Sequence, residues 1–211
     1  EVRGEIMVKA DLILRELRHH APFTALGALT GILLLVLTVE LLTRMEHEHL
    51  FHFLHPLHLF LSATVTTAIY RKYGKGRGEA LVVGFFGSVG ICTLSDIFLP
   101  HLGGLVLGIP MHFHLCLLEH PYLVLPAVML GMGLGMMRPS TELPHSGHVL
   151  VSTYASTFYL TAFGSPSSWL PFLPALFFLL FLAVWLPCCT SDFIFPLLFL
   201  EHPSLPEGTP E

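Results

Sequence analysis

Long apolar runs broken by short polar clusters make up most of the chain beyond residue 20. A helix needs about 20 largely apolar residues to cross a bilayer. Six stretches approach that length, at about 21–43, 55–70, 80–100, 121–137, 145–163 and 169–200. Their ends are marked. Glu40 closes the clearest part of the first, Arg71-Lys-Tyr-Gly-Lys-Gly-Arg77 follows the second, Arg138-Pro139 stops the fourth and Gly164-Ser-Pro-Ser-Ser168 turns the chain after the fifth. The sixth is over-long, and Pro187 is expected to kink or break it.

Between and before these runs the pattern changes. Residues 1–20 set Leu12, Leu14 and Leu17 among Lys9, Asp11, Arg15, Glu16 and Arg18, which predicts an amphipathic helix lying on the membrane surface. No small-residue cleavage site follows a short apolar core there, so a signal peptide is not expected. Residues 101–118 are apolar but carry Gly103, Gly104, Gly108 and Pro110, which predicts a re-entrant or surface hairpin rather than a regular span. Residues 204–211 form a polar tail.

Composition agrees with the runs. The 211 residues are 53% hydrophobic and 12% charged, against about a quarter charged in an ordinary soluble domain. A net charge of −5 gives no footing for nucleic acid. The four cysteines, 92, 116, 188 and 189, lie mostly inside apolar runs and do not form a secreted disulfide framework. Basic residues cluster at 1–18, 71–77 and Arg138; six spans would put all three on the cytoplasmic side, with both termini there as well.

Three segments recur in the same order. His55-Pro-Leu-His58 with Ser62, Thr66 and Thr67 returns as His145-Ser-Gly-His148 with Ser152, Ser156 and Thr157. Cys92-Thr-Leu-Ser95-Asp96 returns as Cys188-Cys-Thr-Ser191-Asp192, with Pro100 and Pro196 each four residues later. Leu118-Glu119-His120-Pro121 returns as Leu200-Glu201-His202-Pro203. The fold expected is therefore an all-α integral membrane protein of about six transmembrane helices. These form two three-helix repeats, 21–120 and 121–203, after the amphipathic N-terminal helix. An odd number of spans per repeat inverts the second copy relative to the first.

Histidine, cysteine and aspartate are the residues that repeat, and the chain has 14 histidines. At i, i+3, i+7 and i+11, His55, His58, Ser62 and Thr66 share one helix face, as do His145, His148, Ser152 and Ser156. A carboxylate within a span is costly, so Asp96 and Asp192 are functional candidates, each one turn after a cysteine. Imidazole, thiolate and carboxylate form the ligand set of zinc, iron or copper. The predicted ligands are His55, His58, Cys92, Asp96, Glu119 and His120 towards the outer face. Towards the inner face they are His145, His148, Cys188, Asp192, Glu201 and His202. Ser62, Ser95, Ser152 and Ser191 would orient them. His47, His49, His52, His101, His112 and His114 add to the outer side either a loose metal-attracting tract or a solvated, pH-sensitive loop. Met129, Met132 and Met136 read as packing before they read as a copper stripe.

No nucleotide-binding loop, dinucleotide fingerprint, His-Glu-x-x-His or Gly-x-Ser-x-Gly is present. The first expectation is a small transition-metal transporter. The alternatives are an intramembrane metal-dependent enzyme acting on a lipid-like substrate, or a metal- or haem-holding subunit of a larger membrane complex. The expected partners are the bilayer, the ion, and a second copy or a membrane-complex subunit.

Overall fold

A computed structural model of the chain describes residues 2–73, 76–137 and 145–189, with side chains throughout except at 2–17, 19, 20, 73, 145, 146 and 189. The described residues are helical, without strands. They form α1 (Val2–Thr38), α2 (Arg44–Tyr73), α3 (Arg77–Thr93), a π-turn (Leu94–Phe98), α4 (Leu99–Val106), the single turn α5 (Cys116–Glu119), α6 (Pro121–Met137), α7 (His145–Phe163) and α8 (Leu173–Cys189). Three stretches are long and apolar enough to cross a membrane: Ala21–Thr38, Arg77–Val106 and Leu170–Cys188. Pro121–Met137 is apolar but shorter.

The centre is polar and the outside is greasy. Ser62, Thr66, Thr67, Ser152, Thr153, Ser156 and Thr157 are fully buried, whereas Phe23, Leu29, Leu33, Val82, Phe86, Leu130, Phe178 and Leu182 are exposed. Helices α2 and α7, which carry these buried hydroxyls, form the inner pair. They run antiparallel, with Arg44 donating from Nε to Ala162 O and Phe51 packed edge-on against Tyr159. Around them, α6 and α3 pack on α2, and α1 and α8 pack on α7 and on each other. Only 28% of the residues in Ala21–Thr38 and in Leu170–Cys188 are buried, so α1 and α8 lie on the outside of the bundle. Such an arrangement makes hydroxyl and imidazole contacts, rather than apolar burial, the feature that distinguishes one helix neighbour from another.

Small residues set the close approaches. Gly27 and Gly31 bring α1 against Thr153 and Thr157 of α7, and Gly131 and Gly135 bring α6 against Phe60–Ala63 and Thr64–Ala68 of α2. A Cβ at Gly131 would stand 2.3 Å from Phe60 O and 3.0 Å from Ala63 Cβ, while one at Gly133 would meet nothing within 4 Å. Gly131→Ala should therefore force α6 off α2 at a cost of about 1–3 kcal/mol. Gly133→Ala should be neutral or stabilising by up to about 1 kcal/mol through helix propensity. Thermal unfolding of the two variants in detergent checks this; equal midpoints would contradict the packing.

Several boundaries differ from those expected. The helix of the second run starts at Arg44, not near His55, because Thr43 and Glu46 form a capping box: Thr43 N and Oγ1 donate to Glu46 Oε2 at 2.7 and 2.8 Å, and Glu46 N donates back to Thr43 Oγ1 at 3.3 Å. His55 and His58 consequently sit at mid-helix. The N-terminal segment is continuous with the first run in α1, which passes through Pro22. The third run extends to Val106. Gly108, at φ +76°, then turns the chain back, and an extended segment follows in which Met111 bridges Gly164 and His112 N donates to Phe163 O at 2.8 Å. At the other end of the chain, α8 continues through Pro187 to Cys189, and the remainder of the predicted sixth run lies outside the described residues.

Candidate metal centre

The site begins with a local backbone fault. Leu99 N donates to Leu94 O, five residues back. The next donor in that register would be residue 100, a proline, which has no N–H. The freed Ser95 carbonyl is taken by the Ser156 hydroxyl at 3.1 Å. A π-turn of this kind commonly marks a functional position in a helix, and here it carries Ser95 and Asp96 into the seam between α2 and α7.

Asp96 is fully buried and accepts four hydrogen bonds. Oδ2 takes His55 Nδ1 at 2.8 Å and His58 Nδ1 at 2.7 Å; Oδ1 takes Ser95 Oγ at 2.8 Å and Ser152 Oγ at 2.9 Å. An ionised carboxylate can only accept, so both imidazoles present Nδ1–H to it and turn Nε2 away from it. That is how a carboxylate fixes the tautomer and direction of a metal-binding histidine.

His58 Nε2 points at His148 Nε2, 2.7 Å away across the α2–α7 seam, and the rings stand edge-on at 79°. Cys188 Sγ approaches the same nitrogen at 3.9 Å, and lies 3.5 Å from Ser152 Oγ. Ligand atoms of His58, His148 and Cys188 all lie within 4.8 Å of one another, and all three residues are buried. Cys92 flanks the group, 3.7 Å from His58 Nε2. Two ligands on one zinc at about 2.0–2.1 Å sit roughly 3.3 Å apart in a tetrahedron, so the imidazole pair, 2.7 Å apart, needs to open by about 0.6 Å to accept an ion.

A second group gathers His52 of α2, His114 of the extended segment and His120 between α5 and α6, again with ligand atoms within 4.8 Å. His52 Nε2 and His114 Nε2 are 2.9 Å apart. Glu119 touches His114 Nδ1 at 3.0 Å and accepts from Leu115 N at 3.1 Å. Burial lowers the pKa of His114, with Glu119 opposing, so its ring is neutral near pH 7. Burial alone would raise the pKa of Glu119, but the Leu115 N–H and the His114 ring hold it below the usual carboxylate range.

The expected ligands are thus distributed unevenly. His55, His58, Cys92, Asp96, His148 and Cys188, with Ser95 and Ser152, come together in one buried cluster, although the two histidine pairs were expected towards opposite faces. The separation fails because α2 begins eleven residues before His55, which brings His58 to the level of the third residue after His145 on the antiparallel α7. Asp96 holds the imidazoles rather than joining the three-ligand group. Glu119 and His120 belong to the second group, with Glu119 placed on His114. Ser62 is buried on α2. The His145 side chain and Ser191, Asp192, Glu201 and His202 lie outside the described residues. Met132 and Met136 pack into apolar clusters and Met129 is exposed, so packing accounts for that stripe. His52 and His114 are the residues that spacing did not assign as ligands. The available hint was Glu119, five residues after His114 and beside His120.

No family model, no curated protein and no solved structure matches the chain.

Proposed function

We propose that the chain is a small transporter of a transition-metal ion, of the zinc, iron or copper class, with His58, His148 and Cys188 as its central binding station. The observation that carries this reading is the meeting of His58 and His148, the same position in the two sequence repeats, at 2.7 Å in a buried seam. Cys92 and Cys188, again equivalent in the repeats, flank one nitrogen at 3.7 and 3.9 Å.

The helix contacts support an inverted duplication of three plus three spans, with halves 21–120 and 121–203. Gly27 and Gly31 of α1 lie on Thr153 and Thr157 of α7; at the corresponding repeat positions, Gly131 and Gly135 of α6 lie on Ala63 and Thr67 of α2. A site between inverted halves near the bilayer midplane suits alternating access without a nucleotide. By the same spacing, the part that Asp96 plays for His55 and His58 falls in sequence to Asp192 for His145 and His148. Ser191 then corresponds to Ser95, and Glu201 and His202 to Glu119 and His120. Both termini are assigned to the cytoplasm by the basic clusters.

A second reading rests on the same ligands. Three protein ligands with a carboxylate-held histidine also describe a catalytic zinc site with an open fourth position. Flux separates the two. Purified protein in liposomes should move zinc, ferrous iron or cuprous ion, and His58→Ala and His148→Ala should abolish the movement. Bound metal with zero flux for all three ions would overturn transport and favour an intramembrane enzyme.

A further inference from the structure

The second histidine group lies outside the central station, and nothing in the proposed transport chemistry requires it. We propose that His52, His114 and His120 form a separate all-nitrogen site for a zinc-class divalent cation, acting as an outer station for the buried thiolate-containing one. The existence of the site rests on its own geometry; only the role as a station rests on the transport reading.

Three elements converge here that have no shared periodicity. His52 lies six residues before His58 on α2, about 9 Å along the helix axis. His114 is fixed from several sides. Its ring stacks on Phe163 at 4.4 Å and 8°, Phe51 meets it edge-on, and Tyr159 Oη accepts from its backbone N–H at 3.3 Å. His120 follows the single turn α5, where its N–H donates to Cys116 O at 2.8 Å. Its ring lies 4.4 Å from that of His52 and 5.4 Å from that of His114.

Three crowded imidazoles gain little from one another unless something sits between them. A shared proton satisfies one pair, His52 and His114, and leaves the third ring as an idle neighbour. A cation uses all three. Two of the rings also carry the outer partner that metal-binding histidines ordinarily have: Glu119 on His114 Nδ1 at 3.0 Å, and the Tyr122 hydroxyl on His120 Nδ1 at 2.9 Å. In each case Nδ1 is engaged, and Nε2 is the atom that would face a ligand. His52 and His120 are part-exposed and only His114 is buried, so water or an arriving ion can reach the fourth position.

The donor set separates this site from the central one. Imidazole nitrogens alone hold an ion less tightly than a site with thiolate and exchange it faster, which suits a point of arrival. Between the two groups on α2 stands His55, tied to Asp96 at 2.8 Å and stacked on Phe51 at 5.3 Å.

Cobalt(II) is the probe, since sulfur ligation adds a charge-transfer absorption that nitrogen ligation lacks. The full chain in detergent should bind two equivalents, of which one gives the sulfur-to-cobalt band. His52→Ala/His114→Ala/His120→Ala should lose one equivalent and keep that band. His58→Ala/His148→Ala/Cys188→Ala should lose the band and keep the other equivalent. His120→Ala alone, at a part-exposed position, guards against misfolding of the triple variant and should weaken the second equivalent at least tenfold. Glu119→Gln should weaken it about 10–100-fold, and His112→Ala, at an exposed neighbour, should leave it unchanged. A second equivalent that survives in His120→Ala, or one that is missing from the wild-type chain while the sulfur band is present, overturns the outer site. Loss of the sulfur band with the nitrogen site intact would count against the central station instead.

Discussion

Asp96→Ala is expected to be the most damaging single substitution for stability, lowering it by about 3–5 kcal/mol. Two imidazole N–H groups and two hydroxyls converge on this fully buried carboxylate, and buried donors left unmatched cost about 1–3 kcal/mol each before relaxation. Asp96→Asn should cost less. Its remaining carbonyl can face the imidazoles, and its amide can face Ser95 and Ser152, whose hydroxyls can turn to accept. Unfolding in detergent with chelator present measures protein stability without any metal contribution. Ser88→Ala, which removes only local bonds to Gly84 O and Phe85 O, is the comparison. A loss at Asp96→Ala no larger than at Ser88→Ala would remove Asp96 from the centre of the network.

The second large effect is on metal binding. His58→Ala and His148→Ala should each reduce binding at the central station by more than the roughly 10–100-fold that loss of an outer-shell partner costs, whereas Asp96→Asn should fall within that range. Cys188→Ser removes the only thiolate of the three-ligand group and should weaken cuprous ion and zinc more than manganese. Equilibrium dialysis with elemental analysis reads all four variants. A ligand present at a hundred times its Kd adds about 2.7 kcal/mol to stability. The thermal shift on adding zinc should therefore shrink in His58→Ala in step with the affinity.

Much of this site is legible in the sequence because the segments that carry its residues recur in the same order at fixed spacing. His58, Asp96, His148 and Cys188 stand out through recurrence at fixed spacing, and the membrane class follows from long apolar runs with 12% charge. The way these segments meet in space is not legible in the same way. Helix α2 begins in a stretch, Glu46-His-Glu-His49, that looks like a solvated loop, and starting the helix at His55 moves its histidines to one membrane face. The capping box Thr43-x-x-Glu46 was the corrective signal, and it is short enough to be overridden by hydropathy.

The outer site was only half legible: Glu119 and His120 recur in the sequence, but no spacing joins them to His52 or His114. His52, His114 and His120 lie on three elements joined by no repeat, and only the return of the chain at Gly108 brings His114 beside α2. Tertiary contacts of this kind have no signature in spacing. The π-turn is intermediate. Pro100 announces that a helical carbonyl will lack its donor, but not that Ser156, on another helix, will supply one.

That π-turn also governs insulation. The outward face of the Arg77–Val106 helix runs through it unbroken, with Leu94, Phe98, Leu102 and Leu105 all exposed at spacings of four, four and three. Asp96 lies between Leu94 and Phe98 in sequence, yet its exposure is 0%. The widened turn thus threads a carboxylate into the interior without opening a gap in the apolar coat, and the same helix that delivers the carboxylate covers it from outside.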